Sequence, residues 1–205
     1  MLERFRAGAA RLIAPLALFL NRLGVSPDLV TAVGTLGVML GALICYPLGW
    51  LWQGTLVVTF FVLADMLDGQ MAKLSGTASK WGAFLDSSLD RLGDGAVFGG
   101  LLLYFAYQQQ EPVWAGFTLA ALILGQLTSY VRARAESLGF EADGGIAARA
   151  DRLLIILAGA LLAGFGVPYV LEVAVVFLAV AGLITVAQRS RSVYRQAKAP
   201  GAEPA

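Results

Sequence analysis

Apolar residues run along this chain in blocks of about twenty, the length that crosses a hydrocarbon core of roughly 30 Å as a helix. Glycine, proline and clustered charge break the blocks. The first covers residues 29–49 and is rich in Gly and Leu. The others fall at about 54–74, 81–107, 113–135, 150–166 and 169–188. This pattern predicts an all-α integral membrane protein with six transmembrane helices. The breaks carry helix punctuation. In Gly24-Val25-Ser26-Pro27-Asp28, either Ser26 or Asp28 can cap the next helix, and Pro27 fits its first turn. Pro47, Gly49, Trp50 and Trp52 mark an interface, and Gly166-Val167-Pro168 reads as a tight turn. Gly34, Gly37 and Gly41 recur on one side of the first span and predict close helix packing there.

Ahead of the spans, residues 2–22 place Arg4, Arg11 and Arg22 among apolar residues. They predict an amphipathic helix lying in the membrane interface, bent or divided at Pro15. The segment has no small-residue cleavage site, so no cleavable signal peptide is expected. Residues 1–198 read as a single domain without internal repeat, and the Pro/Gly/Ala-rich residues 199–205 as a disordered tail.

Composition sharpens this. Of the 205 residues, 58% are hydrophobic and only 14% charged, with mean hydropathy +0.73. Soluble domains carry about 25% charged residues. Histidine is absent and Cys45 is the single cysteine, which excludes His catalysis, His ligation, thiolate zinc clusters and an intramolecular disulfide. Any bound metal must be held by oxygen, which favours Mg²⁺ or Mn²⁺. A net charge of +1 suggests no nucleic-acid partner.

The distribution of charge says more than its sum. All fifteen Lys and Arg lie before the first span, between spans two and three, between four and five, after six, or in adjoining helix turns. The opposite connections, near 46–54, 107–113 and 165–169, contain none. The positive-inside rule then predicts a multi-pass protein of the cell membrane with both termini cytoplasmic.

Four aspartates stand on that same side. Asp65 and Asp68 close the second span, and Asp86 and Asp90 open the third; each pair has the spacing of one helix face. Carboxylates gathered in an apolar setting repel one another and lose hydration. Either they pair with Lys73, Lys80 and Arg91 and hold helices together, or they bind one or two divalent cations at the cytoplasmic boundary. The acids outnumber the nearby bases, which favours the cations. Gly69 and Gly82 leave room for a ligand to approach the backbone. A cation transporter would need acids at several depths, which the chain lacks.

The intervals Asp65-x2-Asp68-Gly69-x2-Ala72-Lys73-x8-Gly82-x3-Asp86-x3-Asp90 resemble the signature of the CDP-alcohol phosphotransferase family, with Lys73 where the family usually has Arg. The resemblance implies a homodimeric phospholipid-synthesis enzyme with six spans per protomer. It implies transfer of a phosphatidyl group from CDP-diacylglycerol to an alcohol, with release of CMP. By the same resemblance Asp65, Asp68, Asp86 and Asp90 bind metal, and Asp90 also serves as general base. Gly69, Ala72, Lys73 and Gly82 would line the nucleotide site. Asp28 resembles a position near cytidine, with a helix cap as its other reading.

A second group of residues bears on the acceptor: Ser129-Tyr130-Val131-Arg132-Ala133-Arg134, then Asp143-Gly144-Gly145, Arg149-x2-Arg152, and Gln188-Arg189. Several arginines beside a metal site favour an acceptor that carries phosphate. Part of this charge is ordinary positive-inside topology and contact with anionic membrane lipids. The stretch is similar to the bacterial branch of the family whose acceptor is inositol 1-phosphate. That similarity implies Arg132, Arg152 and Arg189 as the acceptor-phosphate pocket, with Arg134, Arg149 and Arg191 as second choices. Glycerol 3-phosphate is the competing acceptor.

Overall fold

The computed structural model describes residues 14–146 and 148–198. Most of the expected interfacial helix, and the whole expected tail, lie outside the described residues. Residues 14–22 are helical and form α1, with Pro15 in its first described turn. Six further helical passages follow: α2 (Pro27–Cys45), α3 (Leu51–Ala64) continuing into α4 (Met66–Ser75), α5 (Lys80–Leu103), α6 (Pro112–Ser137), α7 (Arg149–Gly164) and α8 (Val170–Ala197). A π-helical turn, Tyr104–Gln108, ends α5. The described residues contain no strand.

Side-chain chemistry sets the helix ends. The Ser26 hydroxyl oxygen accepts from the Leu29 N–H at 3.2 Å and Pro27 occupies the first turn, so Ser26 rather than Asp28 caps α2. Ser79 caps α5 by accepting from the Gly82 N–H at 3.0 Å. Gly76 ends α4 in a left-handed conformation, φ 68°, that a side chain would disfavour. The second expected span is one passage with an irregularity at Asp65, where α3 gives way to α4. The last helix runs nine residues beyond the expected 188, to Ala197. Its apolar run stops there, but nothing after Gln188 breaks a helix, since Arg and Gln are good helix formers.

Four passages are long and apolar enough to cross a membrane: α2, α3–α4, α6 and α8. The other two differ for evident reasons. Residues 80–94 of α5 carry Lys80, Asp86, Asp90, Arg91 and Asp94, and α7 has only 16 residues. Both are nonetheless packed into the bundle, α5 against α2 and α6, and α7 against α3 and α8.

The interior is built from small and branched residues, including Val38, Ala42, Val58, Val97, Ile156, Ala160, Val175 and Leu178. Many large apolar side chains, such as Leu40, Phe60, Ile123 and Val173, point outward, as lipid contact requires. Glycine brings helices together as its spacing on α2 predicted. A Cβ on Gly37 would strike the Phe61 ring, and one on Gly41 would strike Val57, so this face packs on α3. Gly100 of α5 lies against the Ala42 carbonyl of α2, with no room for a methyl group. This α2–α5 contact brings the cap of α2 and the start of α5 to the same end of the bundle as the exit of α3–α4.

Candidate active site

That end holds the acids. The break at Asp65 and the first turn of α4 present Asp65 and Asp68, and α5 presents Asp86 two turns into its length. One carboxylate oxygen from each of Asp65, Asp68 and Asp86 lies within 4.8 Å of the others. Thr31 of α2 donates its hydroxyl hydrogen to Asp68 and its neighbour Gly69 donates its N–H to the same side chain. Among the described residues none of these three acids has an ion-pair partner, and neither Lys73 nor Lys80 pairs with an acid. The reading of the acids as structural salt bridges therefore fails for this triad.

The donor set fits a hard divalent cation. It is all carboxylate, the donor type that hard divalent cations take.

Asp90 stands apart from the triad. Its Oδ2 lies 2.9 Å from Nη1 of Arg149 and 3.8 Å from Nη2 of Arg91. Asp65 and Asp90 line one small cavity of about 40 Å³ with Gly34, Thr35, Gly93 and Arg149. Asp68 and Asp86 open instead onto a large cavity of about 620 Å³. The triad thus forms part of the wall between two spaces.

The large cavity collects every residue expected at the nucleotide site: Asp28, Gly69, Ala72, Lys73 and Gly82. A Cβ at Gly69 would meet nothing within 4 Å, so its backbone faces open space beside Asp68. The Asp28 carboxylate accepts from the Trp81 indole N–H at 3.1 Å, which links the start of α2 to the start of α5 across the cavity mouth. Asn21 of α1 closes another side by donating to the Met71 carbonyl at 3.2 Å. Thr31 and Trp81 are contacts that spacing alone did not single out; only the packing of α2 on α4 and on α5 reveals them.

The arginines separate into distinct settings. Arg152 is 5% exposed and fits beside Gly125 of α6, whose missing side chain leaves room for the guanidinium. Arg189, 7% exposed, donates from Nε to the Gly144 carbonyl and from Nη1 to the Thr128 carbonyl, each at 2.7 Å. It ties α6 and the loop after it to α8. Arg132 is exposed, with Nε 2.8 Å from Glu136 and Nη2 2.8 Å from Asp143. Arg134 and Arg191 are also exposed. Arg149 faces Asp90 and Asp94. Gly144 and Asp143 came with the sequence motif, but their attachment to Arg189 and Arg132 is a tertiary fact.

Three helices that converge on a carboxylate triad, beside a cavity lined by small residues and one lysine, form a candidate metal centre at one end of a bundle of largely apolar helices. The chain belongs to the CDP-alcohol phosphatidyltransferase family, whose sequence pattern matches residues 24–187. Its relatives narrow the class. It is 50% identical over 203 residues to the phosphatidylinositol phosphate synthase of Cutibacterium acnes, covering 95% of this chain and 98% of that one. It is 47% identical over 191 residues to the phosphatidylinositol phosphate synthase of Mycolicibacterium smegmatis, covering 92% and 86%. The crystal structure of the Mycobacterium tuberculosis phosphatidylinositol phosphate synthase with CDP-DAG bound superimposes with a TM-score of 0.89 at 43% identity, over 95% of this chain and 98% of that one. The same enzyme in complex with manganese and citrate superimposes with a TM-score of 0.88 at 43% identity, over 94% and 92%.

Proposed function

We propose that this protein transfers the phosphatidyl group of CDP-diacylglycerol to inositol 1-phosphate, giving phosphatidylinositol phosphate and CMP. The observation that carries this reading is the unpaired Asp65–Asp68–Asp86 triad at the wall of the cavity that also holds Asp28, Gly69, Ala72, Lys73 and Gly82. The relatives at 43–50% identity, all phosphatidylinositol phosphate synthases, support the acceptor.

Asp65, Asp68 and Asp86 hold Mg²⁺ or Mn²⁺, with Asp90 as a fourth ligand on the side of the small cavity. When bound, the cation neutralises diphosphate charge and favours departure of CMP. The chain's residues do the rest. Gly69 and Gly82 let the diphosphate approach the backbone, and Lys73 offers a point charge where the family's usual Arg would offer a fork. Asp28, already fixed by Trp81, faces the nucleotide end of the cavity. Arg152 and Arg189, with Arg132 at the rim, bind the phosphate of the acceptor and bring its free hydroxyl toward Asp90. Asp90 takes the hydroxyl proton as the oxygen attacks the phosphatidyl phosphorus. The bond from that phosphorus to the CMP oxygen breaks.

In this reading residues 1–198 form one domain with six crossings, α5 and α7 completing the set, and residues 2–22 lie in the interface as an amphipathic helix. The positive-inside pattern puts both termini and the site on the cytoplasmic face. Two such chains form the working dimer.

A CMP-release assay with CDP-diacylglycerol tests the assignment. Turnover is expected with inositol 1-phosphate and not with free inositol. Turnover with glycerol 3-phosphate alone would instead make the protein a phosphatidylglycerophosphate synthase.

A further inference from the structure

Among the described residues the one buried acid is Asp94, one turn beyond Asp90 on α5 and outside the family signature. It is 8% exposed, and a buried carboxylate is costly unless paired. Its partner is Arg149, the first residue of α7, which comes from a distant part of the chain. Arg149 presents two of its nitrogens to Asp94: Nε donates to Oδ2 at 3.3 Å and Nη2 lies 3.1 Å from Oδ1. This is the two-point geometry in which a planar guanidinium is held in orientation as well as in place. The remaining nitrogen, Nη1, then reaches Oδ2 of Asp90 at 2.9 Å, and Nη2 also reaches the Asp90 backbone carbonyl at 3.5 Å.

The start of α7 is itself anchored, since the Asp151 carboxylate accepts from the Ala148 N–H at 3.1 Å. The guanidinium thus stands between two carboxylates one helical turn apart, both of which line the small cavity, and it is held at two points by the buried one. The arrangement occupies Oδ2 of Asp90. Oδ1 has neither a hydrogen-bond nor an ion-pair partner among the described residues.

We propose that Asp94 is a positioning residue for the transfer reaction. By gripping Arg149 it fixes the orientation of Asp90 and leaves the Oδ1 lone pairs for the cation and the acceptor hydroxyl. The inference rests on the proposed role of Asp90 as proton acceptor. It adds Asp94 to the machinery and turns Arg149 from a phosphate ligand into the arm that links the two acids.

Asp94→Asn is nearly isosteric, so it removes charge and weakens the grip without opening a cavity. The expected result is a kcat lower on the order of 10- to 100-fold, the cost of slight misplacement of a reacting group. KM for CDP-diacylglycerol and for inositol 1-phosphate stays unchanged. A rise in melting temperature on adding Mn²⁺ remains, reduced at most by the share of the fourth ligand Asp90, because Asp65, Asp68 and Asp86 are untouched. Asp94→Glu, which keeps a carboxylate, recovers part of the kcat. Arg149→Ala lowers kcat similarly, and the Asp94→Asn/Arg149→Ala pair loses no more than Arg149→Ala alone, since both act through one contact.

Wild-type kcat in Asp94→Asn overturns the proposal, and so do multiplying losses in the double variant. Loss of the Mn²⁺-induced thermal shift in Asp94→Asn also overturns it, by making Asp94 a general support of the fold. An Arg149→Ala variant that raises only the inositol 1-phosphate KM overturns it in favour of phosphate binding. Full turnover by Asp90→Asn overturns both this inference and the base reading beneath it. Inactive Asp90→Asn with fully active Asp94→Asn overturns this inference alone.

Discussion

Thr31 on α2 donates its hydroxyl hydrogen to Asp68 on α4, 37 residues away in sequence. The same hydroxyl oxygen lies 3.1 Å from the Pro27 carbonyl one turn back, so its single hydrogen is shared between the two acceptors and it sits at a fixed point of the helix. Asp68 is thereby oriented by a helix that contributes no acid to the triad. A hydrogen bond of this kind to a metal-binding carboxylate sets the direction of its free oxygen.

Thr31→Val keeps the shape of the side chain and removes the donor. Apparent affinity for Mn²⁺ should fall by about 10- to 100-fold, the usual cost of losing such an outer partner. Titrating CMP release against Mn²⁺ measures it. An unchanged half-saturation would show that Asp68 does not need the bond.

Asp65→Asn, Asp68→Asn and Asp86→Asn each remove one charged oxygen donor from the triad. Each should abolish the Mn²⁺-induced rise in melting temperature as well as turnover, and chelation of the wild-type protein should reproduce both losses. A variant that binds Mn²⁺ with wild-type affinity would take that residue out of the ligand set.

Arg152→Ala should raise the KM for inositol 1-phosphate more than that for CDP-diacylglycerol, because Arg152 lies beside Gly125 of α6 and away from the residues of the large cavity. Steady-state kinetics with each substrate varied in turn separate the two. An equal rise in both would assign Arg152 to holding α6 and α7 together.

Gly100→Ala tests the packing that assembles the site. The added methyl group would meet the Ala42 carbonyl, which is backbone and cannot swing aside. Stability should fall by about 1–3 kcal/mol, the usual cost of overpacking, and thermal unfolding in detergent micelles reports it. No change in melting temperature would mean that α2 and α5 can separate freely.

Much of this protein could be read along the chain. Hydropathy marked the apolar blocks that become helices, and four of those passages are long and apolar enough to cross a membrane by that measure alone. The start of α2 was legible where Ser26 and Pro27 open it; the roles of Gly76 and Ser79 came from the structure. The acid intervals placed Asp65 with Asp68, and Asp86 with Asp90, since helical spacing is a local property. Local rules do not reach across helices. They grouped all four acids alike, whereas packing unites three and turns Asp90 toward Arg149. They gave Asp28 two roles; α2 begins at Pro27, so Ser26 caps it while Asp28 accepts from Trp81. They marked the arginines only as charge on one side. Which is buried beside Gly125, which holds the Gly144 carbonyl and which bridges Asp90 and Asp94 depends on where α6, α7 and α8 meet. Sequence by itself determined the helices and the kinds of group available at one end of the bundle. Only the tertiary structure decided which groups share a partner, because a guanidinium or hydroxyl bonds whatever lies within about 3 Å, regardless of its distance along the chain.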